Sequence, residues 1–245
     1  MNGGDYIKIV TETIDAAYGT QKEVIARAAE TIAEAIENKR NVFVFGCSHA
    51  GIIAEEVFYR TGGLAVINPI FFPGMMLNCR PITMTSKLER LPGLGKTIFE
   101  QNHLGRGDVL IIHSVSGRNS VPVDMAMCAK DAGVTTICIT NLNYSGAVTA
   151  RHPSGKRLFE VCDIVIDNKG EVGDAAAEID GLPEKIGPTS TAVGTALINA
   201  IVIDAVNKMI ADGIVPPVLM SANLDGGDEH NDRIFREYAD NIFYM

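Results

Sequence analysis

The stretch Asp108-Val-Leu-Ile-Ile-His-Ser-Val-Ser-Gly-Arg-Asn-Ser-Val-Pro-Val restricts the fold more than any other part of the chain. Val109 to His113 reads as a strand buried on both faces. The turn after it is rich in hydroxyls and glycine, and Pro122 falls in the first turn of the helix that follows. A strand, a small polar turn and a helix N-terminus together form an anion site, because the helix end offers unpaired N–H groups and the positive end of its dipole. Ser114, Ser116, Gly117, Asn119 and Ser120 are therefore candidate phosphate-binding residues. The same serines would also suffice as ordinary caps of the helix.

Other segments repeat this grammar. Asn41-Val-Phe-Val-Phe-Gly is a continuous apolar run ending at a glycine, as expected of a strand buried on both faces of a parallel sheet. It is followed by the turn Cys47-Ser-His-Ala-Gly and a helix that runs to Gly62-Gly63. Leu64 to Asn68, Thr135 to Thr140 and Asp163 to Asp167 give three more strands. Helices are expected at Ile98 to Leu104, from Val121 to a stop at Gly133, from Ser145 to Ala150, from Pro188 to Ala211 and from Glu229 to Phe243. Two helices occupy residues 1–40, Pro69 to Gly95 is an irregular excursion with a short helix at Ser86 to Arg90, and Gly170 to Lys185 is an acidic loop.

Strands alternating with helices at this spacing predict one α/β domain over 1–245, a three-layer αβα sandwich on a doubly wound, five-stranded parallel sheet. Residues 1–40 form an N-terminal helical extension, 41–211 the core, and 212–245 a C-terminal loop and helix. In the flavodoxin-like order 2-1-3-4-5 the strands at Val42 and Val109 are neighbours at the switch point, where ligands bind beyond the carboxyl ends. Gly46 to Gly51 then lies beside Ser114 to Ser120.

A net charge of −9 argues against a broad surface for nucleic acid or an anionic membrane, so phosphate recognition must be local. Five scattered cysteines without Cys-x-x-Cys spacing suit reduced thiols in a cytoplasmic protein. The apolar segment Thr191 to Ile210 is interrupted by Asn199, Asp204, Asn207 and Lys208 and is not expected to span a membrane. No calcium-loop or histidine pair marks a metal site, and Gly46 to Gly51 lacks the dinucleotide-binding glycine pattern. No cofactor is expected.

Ser114-Val-Ser-Gly-Arg-Asn resembles the Ser-x-Ser-Gly-x-Thr phosphate loop of the sugar isomerase (SIS) domain family, and Phe45-Gly-Cys-Ser-His-Ala resembles its Gly-x-Gly-x-Ser turn. Ala54-Glu-Glu-Val-Phe-Tyr-Arg-Thr-Gly-Gly, Arg151-His-Pro-Ser-Gly-Lys-Arg, Gly187-Pro-Thr-Ser-Thr and Pro216-Pro-Val are similar to a single-domain branch resembling phosphoheptose isomerases. The resemblance spans nearly the whole chain. Three positions depart from it: Asn119 stands for the loop threonine, Ser48 for the second glycine of the first turn, and Ala50 for a serine. It implies a sugar-phosphate ligand, a cofactor-independent aldose–ketose isomerase, and a homodimer or homotetramer. It equally admits a phosphosugar sensor, or an amino-sugar-phosphate lyase or etherase.

Isomerisation needs a base to carry a proton between adjacent carbons. Glu56 and Glu55 follow the first turn and face about 100° apart on a helix, so one of them looks inward. Ile52 and Ile53 give Glu56 the more apolar surroundings. Either could instead lie on a solvated face. His152 belongs to the same rim, as do Lys156 and Arg157. Ser48 and His49 come from the first turn, and Thr189 and Ser190 from the start of the long helix, where capping alone would also explain them.

Overall fold

The computed structural model describes residues 1–245. Helix α1 (Gly3–Gly19) starts at a capping box, in which the Asn2 side chain accepts from Gly4 and Asp5 N–H while Asp5 accepts from the Asn2 N–H. Helix α2 (Lys22–Glu37) buries one stripe, Ile25, Ala28, Ala29, Ile32, Ala33 and Ile36. The strands are β1 (Val42–Gly46), β2 (Ile67–Ile70), β3 (Val109–His113), β4 (Thr135–Thr140) and β5 (Ile164–Asp167). All pair in parallel, in the order β2-β1-β3-β4-β5. The expected topology is the observed one.

Alternation along each strand divides the core between the two faces of the sheet. Val42 and Val44 of β1, Val109 and Ile111 of β3, and Ile137 and Ile139 of β4 point to a layer formed by α1, α2, α3 (Ile52–Val57) and α8 (Ser190–Ala211). Phe43, Phe45, Leu110, Ile112 and Cys138 point the other way, toward α5 (Leu94–Glu100) and α6 (Ser120–Ala132). Each fully buried large side chain contributes roughly 1.5–3 kcal/mol of hydrophobic stabilisation, which makes a one-residue slip of any strand prohibitive. Helix α8 is long and apolar enough to cross a bilayer. Here its Val193, Leu197, Ile198, Ile201 and Ala205 are core residues packed between α2, α1 and α3.

Several element boundaries differ from the sequence expectation. Strand β2 begins at Ile67, because Leu64 and Ala65 bond instead to the segment around Pro217 and Val218. In the excursion, α4 spans Met84–Leu88 and α5 begins at Leu94, earlier than the apolar spacing suggested. Asn141 caps α7 (Leu142–Ala147) by accepting from the Tyr144 N–H, which starts that helix three residues early. Part of the stretch read as an acidic loop pairs as a ribbon of β6 (Ala175–Ala177) and β7 (Ile186–Pro188). Helix α9 (Gly227–Glu237) stops short of Phe243, whose ring stacks on Phe43 and His103.

Candidate functional site

Strands β1 and β3 are hydrogen-bonded neighbours with Gly46 opposite His113, so the turns after them meet at the carboxyl edge of the sheet. The first turn is tightly built. A Cβ on Gly46 would lie 2.4 Å from the Ala50 carbonyl oxygen, so only glycine lets the chain fold back there. Ser48 adopts a left-handed φ of 55°. A glycine takes this conformation without strain, and a serine holding it costs on the order of 1 kcal/mol. Ser48 therefore puts a hydroxyl on a position whose conformation suits glycine. His49 is exposed beside it.

The second turn is open in its hydrogen bonding. The N–H groups of Ser116, Gly117, Arg118, Asn119 and Ser120 donate to no acceptor in the chain. The Ser114 hydroxyl also has no partner, although that residue is 4% exposed, and neither does that of Ser116. Ser120 is fully buried with an unpartnered hydroxyl. Gly117 has φ 57° and packs against Ser145, Thr140 and Leu158, which leave no room for a side chain. Asn119 precedes α6 without capping it, because its Oδ1 accepts from Arg151 Nη1 at 2.8 Å and its amide faces the Glu89 carboxylate.

The excursion supplies the far wall. Phe71, Phe72, Met75 and Met76 close a groove over Gly46, Ser48, Gly51 and Glu55, and this groove continues into an open cavity of about 650 Å³ bounded by Ile52, Glu55, Phe58, Phe71 and Leu77. Glu55 is the carboxylate that lines it. Glu56 is the more buried of the pair, as its apolar neighbours suggested, but it turns toward α8: Asn199 Nδ2 donates to its Oε1 at 3.0 Å and Arg60 pairs with it. His152 is held at both nitrogens. Nε2 lies 2.9 Å from Asp124 Oδ1, and Nδ1 lies 2.7 Å from the Ser154 hydroxyl and accepts the Ser154 N–H. Lys156 is exposed, and Arg157 pairs with Glu160 and donates to the Ser145 carbonyl.

Helix α8 begins differently from α6. Asp174 Oδ1 accepts from the N–H of Ser190 at 2.8 Å and of Thr189 at 3.2 Å, and its Oδ2 accepts the Ser190 hydroxyl at 2.6 Å. The Thr189 hydroxyl is buried without a partner beside Gly170. Between the two helix starts lies His113. Its Nδ1 donates to the Ala50 carbonyl at 3.0 Å, while Nε2 has no partner and faces Gly194 of α8. Burial holds its pKa down at about 4, so the ring is neutral.

Four charged residues near the second turn were not singled out from the sequence, although Arg118 and Arg151 stand in the family-like motifs and Glu89 and Arg90 in the short helix expected at Ser86 to Arg90. Burial pushes the Glu89 carboxyl above its ordinary value, against the opposing pull of Asn119, Arg90 and Arg151. Arg118 and Arg90 both lower the Arg151 pKa, so the three guanidiniums lie within electrostatic reach of one another. The length of the irregular excursion was the only hint that Glu89 and Arg90 would be brought there. No group of three or more His, Cys, Asp or Glu side chains is arranged to hold a metal ion.

The model of the SIS domain matches residues 5–141, which hold both turns and the first four strands. A UPF0309 protein of Shouchella clausii is 50% identical over 238 residues, covering 97% of this chain and 95% of its own length. One of Oceanobacillus iheyensis is 50% identical over 240 residues, covering 98% and 97%. Among solved structures, a phosphoheptose isomerase of Francisella tularensis is similar at a TM-score of 0.53 and 15% identity, covering 85% of this chain and all of that one. The phosphoheptose isomerase GmhA of Neisseria gonorrhoeae gives a TM-score of 0.54 at 14% identity, covering 83% and 96%. At that identity the two structures speak for the fold alone, and the family model and the relatives speak for descent: the chain belongs to the SIS domain family.

Proposed function

We propose that the chain binds a sugar phosphate at the turn Ser114–Ser120 and interconverts its aldose and ketose forms without a cofactor; two of the proteins it resembles in fold are named phosphoheptose isomerases. The observation that carries this reading is the run of unpaired N–H groups from Ser116 to Ser120 beside the free hydroxyls of Ser114 and Ser116. Such a nest at the start of a 13-residue helix is a phosphate cradle. The sugar then extends over the first turn, past Ser48 and His49, toward the open cavity of about 650 Å³ that Glu55 lines. Glu55 there takes the proton from C2 as a carboxylate, and its conjugate acid delivers that proton to C1 of the enediol while the hydroxyl proton on the C2 oxygen passes to the C1 oxygen; the reverse reaction retraces these transfers.

A second reading has its own support. Glu56 and His152, the other proton carriers of the rim, are both committed to partners within the chain, which suits a protein that senses a phosphosugar without turning it over. One experiment separates the two. Thermal-shift screening of hexose, heptose and amino-sugar phosphates should find a stabilising ligand, which is then incubated with the protein in deuterated water. The isomerase reading expects deuterium at C2 and its loss in Glu55→Gln. Tight binding with an inert C2 establishes the sensor, and the absence of any stabilising phosphate overturns both.

A further inference from the structure

Of the two basic residues that the sequence placed on the rim, Lys156 makes no side-chain hydrogen bond to the second turn and Arg157 is paired with Glu160. Three other arginines, from three separate segments, lie within electrostatic reach of one another beside the second turn. Arg118 lies inside the turn, and its Nε and Nη2 donate to the Thr149 carbonyl at 2.9 Å and the Thr149 hydroxyl at 3.0 Å. Arg151 is fixed to the turn twice: its N–H donates to the Arg118 carbonyl at 2.8 Å and its Nη1 to Asn119 Oδ1. Arg90 is brought in by the excursion, which is pinned to the first turn of α6 where the Val121 N–H donates to the Glu89 carbonyl at 3.1 Å.

None of the three takes part in an ion pair. Arg118 and Arg151 are instead oriented by neutral oxygens, which fix a guanidinium without cancelling its charge. The mutual repulsion is felt: burial first, then Arg118 and Arg90, hold Arg151 below its ordinary pKa. In a chain of net charge −9, three like charges gathered beside a turn of unpaired N–H groups make a local positive field that favours a bound anion. The Ser114 hydroxyl, which has no partner in the chain, is a further polar group left for that anion. Glu89 is the one carboxylate among them. Three guanidiniums against one carboxylate leave a charge of +2, close to the roughly −1.5 to −2 of a phosphate monoester near neutral pH.

We infer that Arg90, Arg118 and Arg151 form a guanidinium clamp that completes the anion site of the second turn and selects phosphate monoesters in their doubly charged form. The inference rests on the phosphate reading of that turn and adds to it where binding energy and charge selectivity come from. Arginine suits the task because its planar fork stays charged and meets two phosphate oxygens at once.

The test uses the whole protein with inorganic phosphate as probe, measured by calorimetry and by amide chemical shifts, on variants shown by thermal unfolding to be folded. Arg118→Ala/Arg151→Ala should weaken phosphate binding at least tenfold. Arg118→Lys/Arg151→Lys should fall between that variant and the natural chain, because charge is kept and the fork is lost. If the alanine pair binds phosphate within twofold of the natural chain while Ser114→Ala/Ser116→Ala does not, the clamp is overturned and the phosphate turn stands. If both pairs bind it unchanged, or if the natural chain does not bind it, the clamp and the phosphate turn both fall.

Discussion

Helices α6 and α8 begin at the same edge of the sheet, on opposite faces of it, and they end their N-terminal dipoles in opposite ways. Helix α8 is closed by its own chain, since the Asp174 carboxylate takes two backbone N–H groups and a hydroxyl. Helix α6 is open: its N-cap residue turns its side chain away, and the N–H groups before it have no acceptor. Sequence alone named both ends as candidate anion sites, through Ser114 to Ser120 and through Thr189 and Ser190. An internal carboxylate settles a helix end as structure, while an end left unmet, with arginines around it, is prepared for an anion from outside.

His113 lies between the two ends, and the largest expected effect concerns it. Its folded pKa of about 4 is below the ordinary 6.5, so the stability it contributes is present above about pH 6.5 and is lost as pH falls toward 4. The full effect is about 3 kcal/mol at most. Urea unfolding between pH 7 and pH 4 should show this slope, and His113→Gln should flatten it; equal slopes would show that β3 is not a neutral bridge between the helix ends.

Opening the closed end comes next. Asp174→Ala removes the acceptor of three hydrogen bonds and should cost about 2 kcal/mol in urea unfolding. The stabilisation conferred by a bound sugar phosphate should stay the same in this variant. A loss of ligand stabilisation instead would place the ligand at α8 and reverse the comparison.

Stripping the hydroxyls from the open end is gentler on the fold. Ser114→Ala/Ser116→Ala should weaken the best sugar phosphate at least tenfold, about 1.4 kcal/mol, and change stability without ligand by under about 0.5 kcal/mol, because neither hydroxyl has an internal partner. A large fall in stability with unchanged affinity would return these serines to a structural role.

The smallest effect is at Glu89. Its folded pKa lies above the ordinary value, so the fold favours the protonated carboxyl, and stability is lost as pH rises through the carboxylate range. Glu89→Gln cannot ionise, and should gain on the natural chain as pH rises from 4 to 7, by under about 1 kcal/mol. A variant that loses ground over this range would show that Glu89 is held ionised by the arginines.

The sheet order was legible because each strand is a short apolar run ended by a turn signal, and because Val42–Phe45 and Val109–Ile112 are apolar on both faces. The serine turn was legible from local chemistry. What stayed hidden depends on contacts distant in sequence. Asp174 is one residue in an acidic stretch until the β6–β7 ribbon brings it to Ser190. Glu89 and Arg90 carry no periodic signal, and they reach α6 only because Val121 bonds the Glu89 carbonyl. Glu56 was favoured for its apolar neighbours, and that burial is real, but it comes from α8, whose position no local pattern discloses.

The contrast between the two helix ends is tested most directly by following backbone amide shifts as inorganic phosphate is added. An external phosphate on the open end should move the amides of Ser116 to Ser120 and leave those of Thr189 and Ser190 in place. Shifts concentrated at Thr189 and Ser190, or none along the Ser116–Ser120 turn at saturating phosphate, would contradict the account.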